Sequence, residues 1–366
     1  MTIVTKTVKG IQYLYFQNRI SGSDQIISTY IGRADLEGSQ LQRARNKAVI
    51  QHWISIYRAI KILRTPLYHF RQKPNPPLDN IDFLELVRIN YRQFKETITV
   101  DELREVDEKI FVKYVHGTTA IEGNTFNERE TEKLLFGNLT SENKTFGETV
   151  EIANYLQVKD FFQTYSGEVT ENLIKRVHRL LITGTFDDRG RPQAELGQYR
   201  KNNVRIAGAL FQPPPPDQIQ DEIRRALREY YDGIETKVHP LELAAIFHLR
   251  FEHIHPFRDG NGRVGREILN YMITQSDYPS MYVPTKERSV YLKVLQEADM
   301  NNFRPLVTYI INRVVMSFNF LGAETSLSSV LSSDDYKDLI TEFFGKEVSD
   351  AQPQSHKKLH DDEDLP

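Results

Sequence analysis

Between positions 255 and 266 the chain reads HPFRDGNGRVGR, twelve residues that hold one histidine, one aspartate, three arginines and three glycines. His255, with an ordinary pKa of about 6.5, is mostly neutral at pH 7 and can take a proton from a hydroxyl. Val264, Ile268 and Met272 recur every fourth position, which predicts a helix beginning near Arg263. Arg263 and Arg266 then share one side of its first turn, three residues apart. Cations at the positive pole of a helix cost roughly a few tenths of a kcal/mol each, so the pair makes sense if a multiply charged anion sits in front of that pole. The turn Gly260-Asn261-Gly262 adds backbone N–H donors to the same place, and a polyphosphate fits best. Asp259 at its edge would repel phosphate unless a divalent cation such as Mg²⁺ lay between them. Base, metal and anion cradle together point to phosphoryl or nucleotidyl transfer to an alcohol. Phe257 is expected in the core, pinning the loop.

Two other phosphate motifs are rejected. Gly260 to Gly265 formally matches GxGxxG, but that fingerprint must follow a strand. The preceding segment has apolar residues at Leu241, Ala244, Phe247 and Phe251, which is helical spacing. There is no GK[ST] of a P-loop.

The elements that must position these residues are mostly helices. Periodicity of the i, i+3, i+4 kind predicts helices over 81–97, 100–122, 126–137, 146–165, 170–182, 216–234, 239–254, 265–275, 287–299 and 303–321. Residues 10–33 alternate large and polar side chains around Gly22 and read as a β-hairpin, followed by a helix over 39–63. The organisation expected is an N-terminal hairpin plus helix (1–64), a proline-rich linker (65–80), a helical core (81–325) and a disordered charged tail (346–366). Alternation around Val204 and Ile206 suggests one short strand or hairpin inside the helical core. Pro213 to Pro216 lead rigidly into the next helix.

Composition narrows the function classes. A net charge of -3 provides no global field for nucleic acid or acidic lipid, so nucleic acid is not an expected partner. The absence of cysteine removes disulfides, thiol nucleophiles and cysteine-bound zinc, and fits a reducing cytosol. The start MTIVTKTVKGIQ has no apolar signal-peptide core. The most apolar segment, LVTYIINRVVMSFNFLG, is interrupted by Asn312 and Arg313. A cytoplasmic protein without a membrane span is expected.

HPFRDGNGRVGR resembles, without departure, the HPFx[DE]GNGRxxR motif of the Fic family of nucleotidyl transferases. Thr118 to Asn124, TTAIEGN, resembles the inhibitory motif [ST]xxxE[GN] of family members that carry their inhibitory helix upstream of the core. The similarity covers about residues 102–316 and implies a Fic-type helical bundle with a β-hairpin flap. His255 would be the general base that directs a Ser, Thr or Tyr hydroxyl of a target protein, or of the enzyme itself, onto the α-phosphorus of ATP. Asp259 would hold Mg²⁺. Gly260, Asn261 and Gly262 would hold the α- and β-phosphates, Arg263 the β-phosphate and Arg266 the γ-phosphate. Ile206, Ala207 and Gly208 would belong to the flap that registers the target. Tyr291 and Asp299 would line base and ribose, although the family often has asparagine at the second. On the helix of about 101–124, Glu122 would compete for Arg266 and hold the enzyme off, with Gly123 as the helix cap. The resemblance also implies a homodimer paired through the core. Removal of AMP, transfer of another nucleotide, and a non-enzymatic scaffold or regulator are the alternatives.

Overall fold

A computed structural model describes residues 2–19, 26–38, 68–76, 78–137, 143–186, 195–206 and 211–323, together with 40, 41, 44, 45, 48, 51, 52, 55, 56, 190, 191, 193 and 209. The chain divides into two compact units, residues 65–317 and residues 1–64 with 318–366. The sequence placed its corresponding breaks at 64 and 325.

In the first unit the N-terminal segment is a three-stranded antiparallel sheet rather than a hairpin: β1 (Thr2–Val8), β2 (Ile11–Arg19) and β3 (Ile26–Arg33), in that order. The added strand is β1. Lys9 and Gly10, at φ 50° and 80°, form the two-residue turn that joins it to β2. Alternation in β2 and β3 buries Phe16 and Ile31. Gly22, most of the helix expected over 39–63 and the tail expected at 346–366 lie outside the described residues.

The second unit is helical: α1 (Ile81–Thr97), α2 (Val100–Ile121), α3 (Glu128–Gly137), α4 (Phe146–Thr164), α5 (Glu171–Ile182), α6 (Ile219–Glu235), α7 (Pro240–Ile254), α8 (Asn261–Gln275), α9 (Arg288–Asp299) and α10 (Arg304–Ala323), the last running into the first unit from Phe318. Capping explains several starts. Thr99 with Glu102, and Thr145 with Glu148, form reciprocal capping boxes at α2 and α4. Asn80 and Thr170 cap α1 and α5.

α7 and α8 form the centre. α7 packs on α6 and α8, while α5 and α2 also reach α8. Leu241, Ala244, Ala245, Phe251, Val264, Ile268 and Leu269 are fully buried, and with buried Glu242, His248, Arg263 and Arg266 these two helices are covered nearly all round. The expected linker is tied down where described: a bridge joins His69 to Val238, and the N–H groups of Arg71 and Gln72 donate to the Glu242 carboxylate at 2.8 and 2.9 Å.

Two local expectations change. The helix of the glycine-rich motif begins at Asn261, two residues before Arg263, because Gly260 in a left-handed conformation (φ 77°) can serve as its N-cap. Arg266 therefore stands in the second turn. The expected flap forms no strand over 203–206; Ala207 and Gly208 lie outside the described residues. Among the described residues no helix is long and apolar enough to cross a membrane.

Candidate active site

The site is the loop between α7 and α8 together with the end of α2. His255 terminates α7 in a left-handed conformation (φ 47°, ψ 58°), its N–H bonded to the Phe251 carbonyl at 2.9 Å. Such a backbone costs a non-glycine residue roughly 1 kcal/mol, and it turns the chain so that Pro256 and Phe257 enter the core. Phe257 is fully buried and stacks on His178 at 3.8 Å between ring centroids.

The loop is held by side chains whose roles the sequence did not reveal. The Asn261 amide closes it, accepting from the Phe257 N–H at 2.8 Å and donating to the Phe257 carbonyl at 2.9 Å. That side chain is spent on the loop, which leaves Asn261's backbone N–H for an anion. His178 accepts from the Gly197 N–H at Nδ1 (2.9 Å), so Nε2 carries the proton and donates to the Asp259 carbonyl at 3.2 Å. Burial lowers its pKa to about 4, which keeps this tautomer neutral. Buried Arg200 donates to the carbonyls of His255 (2.8 Å), Asn202 (2.9 Å), Pro214 (2.6 Å) and Ile254 (3.2 Å). It thereby satisfies the last carbonyls of α7. His178 lies among Val177 and Leu181 in sequence and reads as an ordinary core histidine; Arg200 has no motif.

The charges converge at the start of α8. Its first N–H groups, from Asn261 to Arg263, have no partner within the helix. Arg263 and Arg266 are each 3% exposed. Arg263 contacts Glu151 at 3.1 Å and Asp259 at 3.4 Å, and its Nε is buried without a hydrogen bond. Arg266 donates from Nε to the Thr118 hydroxyl (2.7 Å) and from Nη2 to the Thr118 carbonyl (3.0 Å) and to Glu122 Oε1 (2.6 Å). Asp259, its side chain 44% exposed, accepts from the Gly260 N–H at 2.6 Å and from Gln193 at 3.0 Å.

Glu122 is the C-cap of α2, followed by Gly123 at φ 102°. Its side chain is 36% exposed, at the lip of the cleft. Burial alone would raise its carboxyl; Arg266, then Arg263 and His255, outweigh that and hold it below the usual carboxylate range. His255 is shifted by burial to about 4, with Arg200 acting in the same sense, and is a neutral base at pH 7. Asn124 ties the end of α2 to the same network, donating to Glu151 at 3.1 Å and to the Glu148 carbonyl at 3.1 Å.

His255, Asp259, Gly260, Asn261, Gly262, Arg263, Arg266 and Glu122 are thus brought together. Tyr291 lies beside Arg266 and interacts with it, whereas Asp299 is engaged by His253. Tyr291 is 1% exposed, with its hydroxyl 2.6 Å from His248 Nε2. Asp299 contacts His253 at 2.7 Å. Ile206 is half-buried in a loop.

Comparison with known proteins points the same way. Residues 168–273 match the profile of the Fic/DOC family. The chain is 29% identical over 211 residues to protein adenylyltransferase Fic of Drosophila ananassae, which covers 57% of this chain and 41% of that protein. It is 28% identical over 242 residues to protein adenylyltransferase fic-1 of Caenorhabditis elegans, covering 64% of this chain and 46% of the relative. The chain therefore spans less than half the length of these curated relatives. The solved structure of C. elegans Fic-1 (residues 134–508) superimposes with a TM-score of 0.58 at 23% identity, over 78% of this chain and 82% of that one. Motif, fold and profile thus agree: residues 168–273 match the Fic/DOC family, and the helical fold is that of a solved Fic structure.

Proposed function

We propose that the protein is an adenylyltransferase that moves AMP from ATP to a Ser, Thr or Tyr hydroxyl of a target protein or of itself, and that Glu122 holds it off. One observation carries this reading: the carboxylate of Glu122 satisfies Arg266 at the N-terminal end of α8, where a terminal phosphate would otherwise be received. In the active state Glu122 leaves, and Arg263 and Arg266 take the β- and γ-phosphates while the free N–H groups of Asn261 and Gly262 meet phosphate oxygens. Neutral His255 takes the proton of the target hydroxyl. The hydroxyl oxygen bonds to the α-phosphorus, and the bond from that phosphorus to the bridging oxygen breaks to release diphosphate.

Asp259 suits Mg²⁺. It is a single, partly exposed carboxylate at the cleft edge, and the described residues hold no cluster of three acids or histidines that could form an all-protein metal cage. Mg²⁺ typically takes one or two carboxylates and completes its shell with phosphate and water; bound there, it would neutralise charge between the phosphates. Ile206, Ala207 and Gly208 would register the target segment, and Tyr291 and Asp299 would adjoin base and ribose once nucleotide enters. A cytoplasmic site of action and a homodimer complete the proposal; fractionation and sedimentation test them.

Radiolabelled ATP and Mg²⁺ with the Glu122→Gly protein should put label on the enzyme or on a lysate protein. ATP binding without any transfer would overturn the proposal. A second reading, removal of AMP, is favoured by the mutual influence of Glu122 and His255 in one cleft, where Glu122 could align a water. It requires release of AMP from a modified protein by the wild type and not by Glu122→Gly.

A further inference from the structure

Behind the Glu122–Arg266 contact lies a second carboxylate, one turn of α7 before the base. Glu252 lies on the face of α7 that meets α8: a Cβ added at Gly265, the residue before Arg266, would stand 2.6 Å from Glu252 Oε1 and 3.1 Å from His248 Nδ1. Only a glycine at 265 lets these side chains lie against the α8 backbone. Glu252 Oε1 and His248 Nδ1 are both buried, neither has a hydrogen bond, and they are 3.9 Å apart. Buried polar atoms nearly always find partners. The pair would repel if both atoms lacked a proton, whereas a proton on either one makes the contact attractive.

The groups that face Glu252 can be named from each element. On α7 itself this is His248; on α8, Arg266; at the end of α2, Glu122; and on α9, Tyr291, which engages the far nitrogen of His248. Arg266 favours the ionised carboxyl and Glu122 the protonated one. The Gly265 carbonyl favours a proton on His248, against its complete burial and Arg266. Glu122 and Glu267 also act on Arg266, and with Glu252 ionised one further carboxylate offsets its positive charge. With Glu252 protonated, one cancelling charge is gone.

We propose that Glu252, buried with its Oε1 unpartnered against the α8 backbone at Gly265, is a proton-dependent counter-charge to Arg266 and sets how strongly that guanidinium attracts the terminal phosphate of ATP. Glu252 is a positioning residue, since it touches neither substrate nor reacting atoms. The role rests on the adenylyltransferase reading and deepens it. Burial, the largest influence on Glu252, pushes its carboxyl up to about 7, so the charge changes within the physiological range. As pH rises through that value Glu252 ionises and ATP binding weakens.

The test is ATP affinity by calorimetry with Mg²⁺ at pH 6 and pH 8, at constant ionic strength, for the wild type and Glu252→Gln. Protonation of ATP itself is common to both and cancels in the comparison. A unit charge several ångströms away in a half-buried cleft is worth roughly a factor of ten. Glu252→Gln should bind ATP about tenfold more tightly than wild type at pH 8 and nearly equally at pH 6. The same pH dependence in both proteins overturns the role of Glu252 and leaves the transferase reading standing. No ATP binding at either pH, in wild type or Glu122→Gly, overturns that reading and this one with it. A second measurement leaves Glu252 untouched and covers the case in which Glu252→Gln does not fold. Glu267, the other buried acid on α8 raised to about 7, is replaced by Gln, and the carboxyl resonances of ¹³C-labelled glutamates are titrated. One that titrates near pH 7 and moves on addition of ATP supports the proposal; none doing so overturns it.

Discussion

Glu122 and Arg266, 144 positions apart in the chain, meet at 2.6 Å, and the guanidinium completes its bonding on the hydroxyl and carbonyl of Thr118, one helical turn before Glu122. The end of α2 thus holds Arg266 in two ways. Thr118 fixes its position, and Glu122 cancels its charge. The first can persist when the second is removed.

Glu122→Gly should therefore release the guanidinium without displacing it. Because Glu122 is about one-third exposed, its ion pair is worth less than a fully buried one, and solvent screening reduces it further. AMP transfer should rise at least roughly tenfold, with a change in melting temperature of only a few degrees. Transfer rate and thermal melting, measured side by side, check both statements.

His255→Ala removes the proposed base and leaves the anion cradle intact. Label transfer in the Glu122→Gly background should fall by about 10² to 10⁴, while ATP affinity stays within a few-fold. With the base shifted to about 4 by burial, the intact enzyme should show no loss of rate from base protonation between pH 8 and pH 5. At saturating ATP, a rate that falls as pH drops through 6.5 would show that His255 titrates as a solvated histidine.

Gly262→Ala tests the closeness of the inhibitory contact. A methyl group there would overlap Glu122 Oε1 and stand 2.8 Å from Arg266 Nη1. It should push the inhibitory carboxylate aside and also occupy space that a phosphate needs. The expected result is a loss of ATP affinity of tenfold or more, roughly 1.4 kcal/mol, with no gain of transfer. Calorimetry and label transfer measure both.

His178→Phe keeps the stack on Phe257 and removes two hydrogen bonds, to the Gly197 N–H and the Asp259 carbonyl. Destabilisation of about 1–3 kcal/mol at pH 7 is expected from those unmet backbone groups. The pH dependence has a definite sign. The folded pKa is lowered from 6.5 to about 4, so the unfolded chain binds the proton first. The contribution of neutral His178 is complete above pH 6.5 and is lost as pH falls toward 4, by up to about 1.4 kcal/mol per pH unit. Denaturant unfolding at pH 7 and pH 5 should show a smaller acid loss in the variant than in the wild type.

The helices were legible because their periodicity is strong and many ends carry their own punctuation, such as Thr99 with Glu102 and Thr145 with Glu148. The start of α8 was misread by two residues because Gly260 caps it through a left-handed backbone, which leaves no side-chain signal. β1 was missed as a strand. It is short and mostly exposed, so its polar composition does not alternate with burial.

By itself the sequence determined which chemistry is available: a histidine, a carboxylate, two arginines and a glycine-rich turn within twelve residues. Spacing inside one turn fixes such neighbours whatever the rest of the chain does. Only the tertiary structure decided that Arg266 is held by Thr118 and Glu122, that Arg200 and His178 brace the loop, and that Glu252 lies buried behind it. Those relationships arise where separate helices pack, and charge and burial there act across space on residues that the chain order keeps far apart.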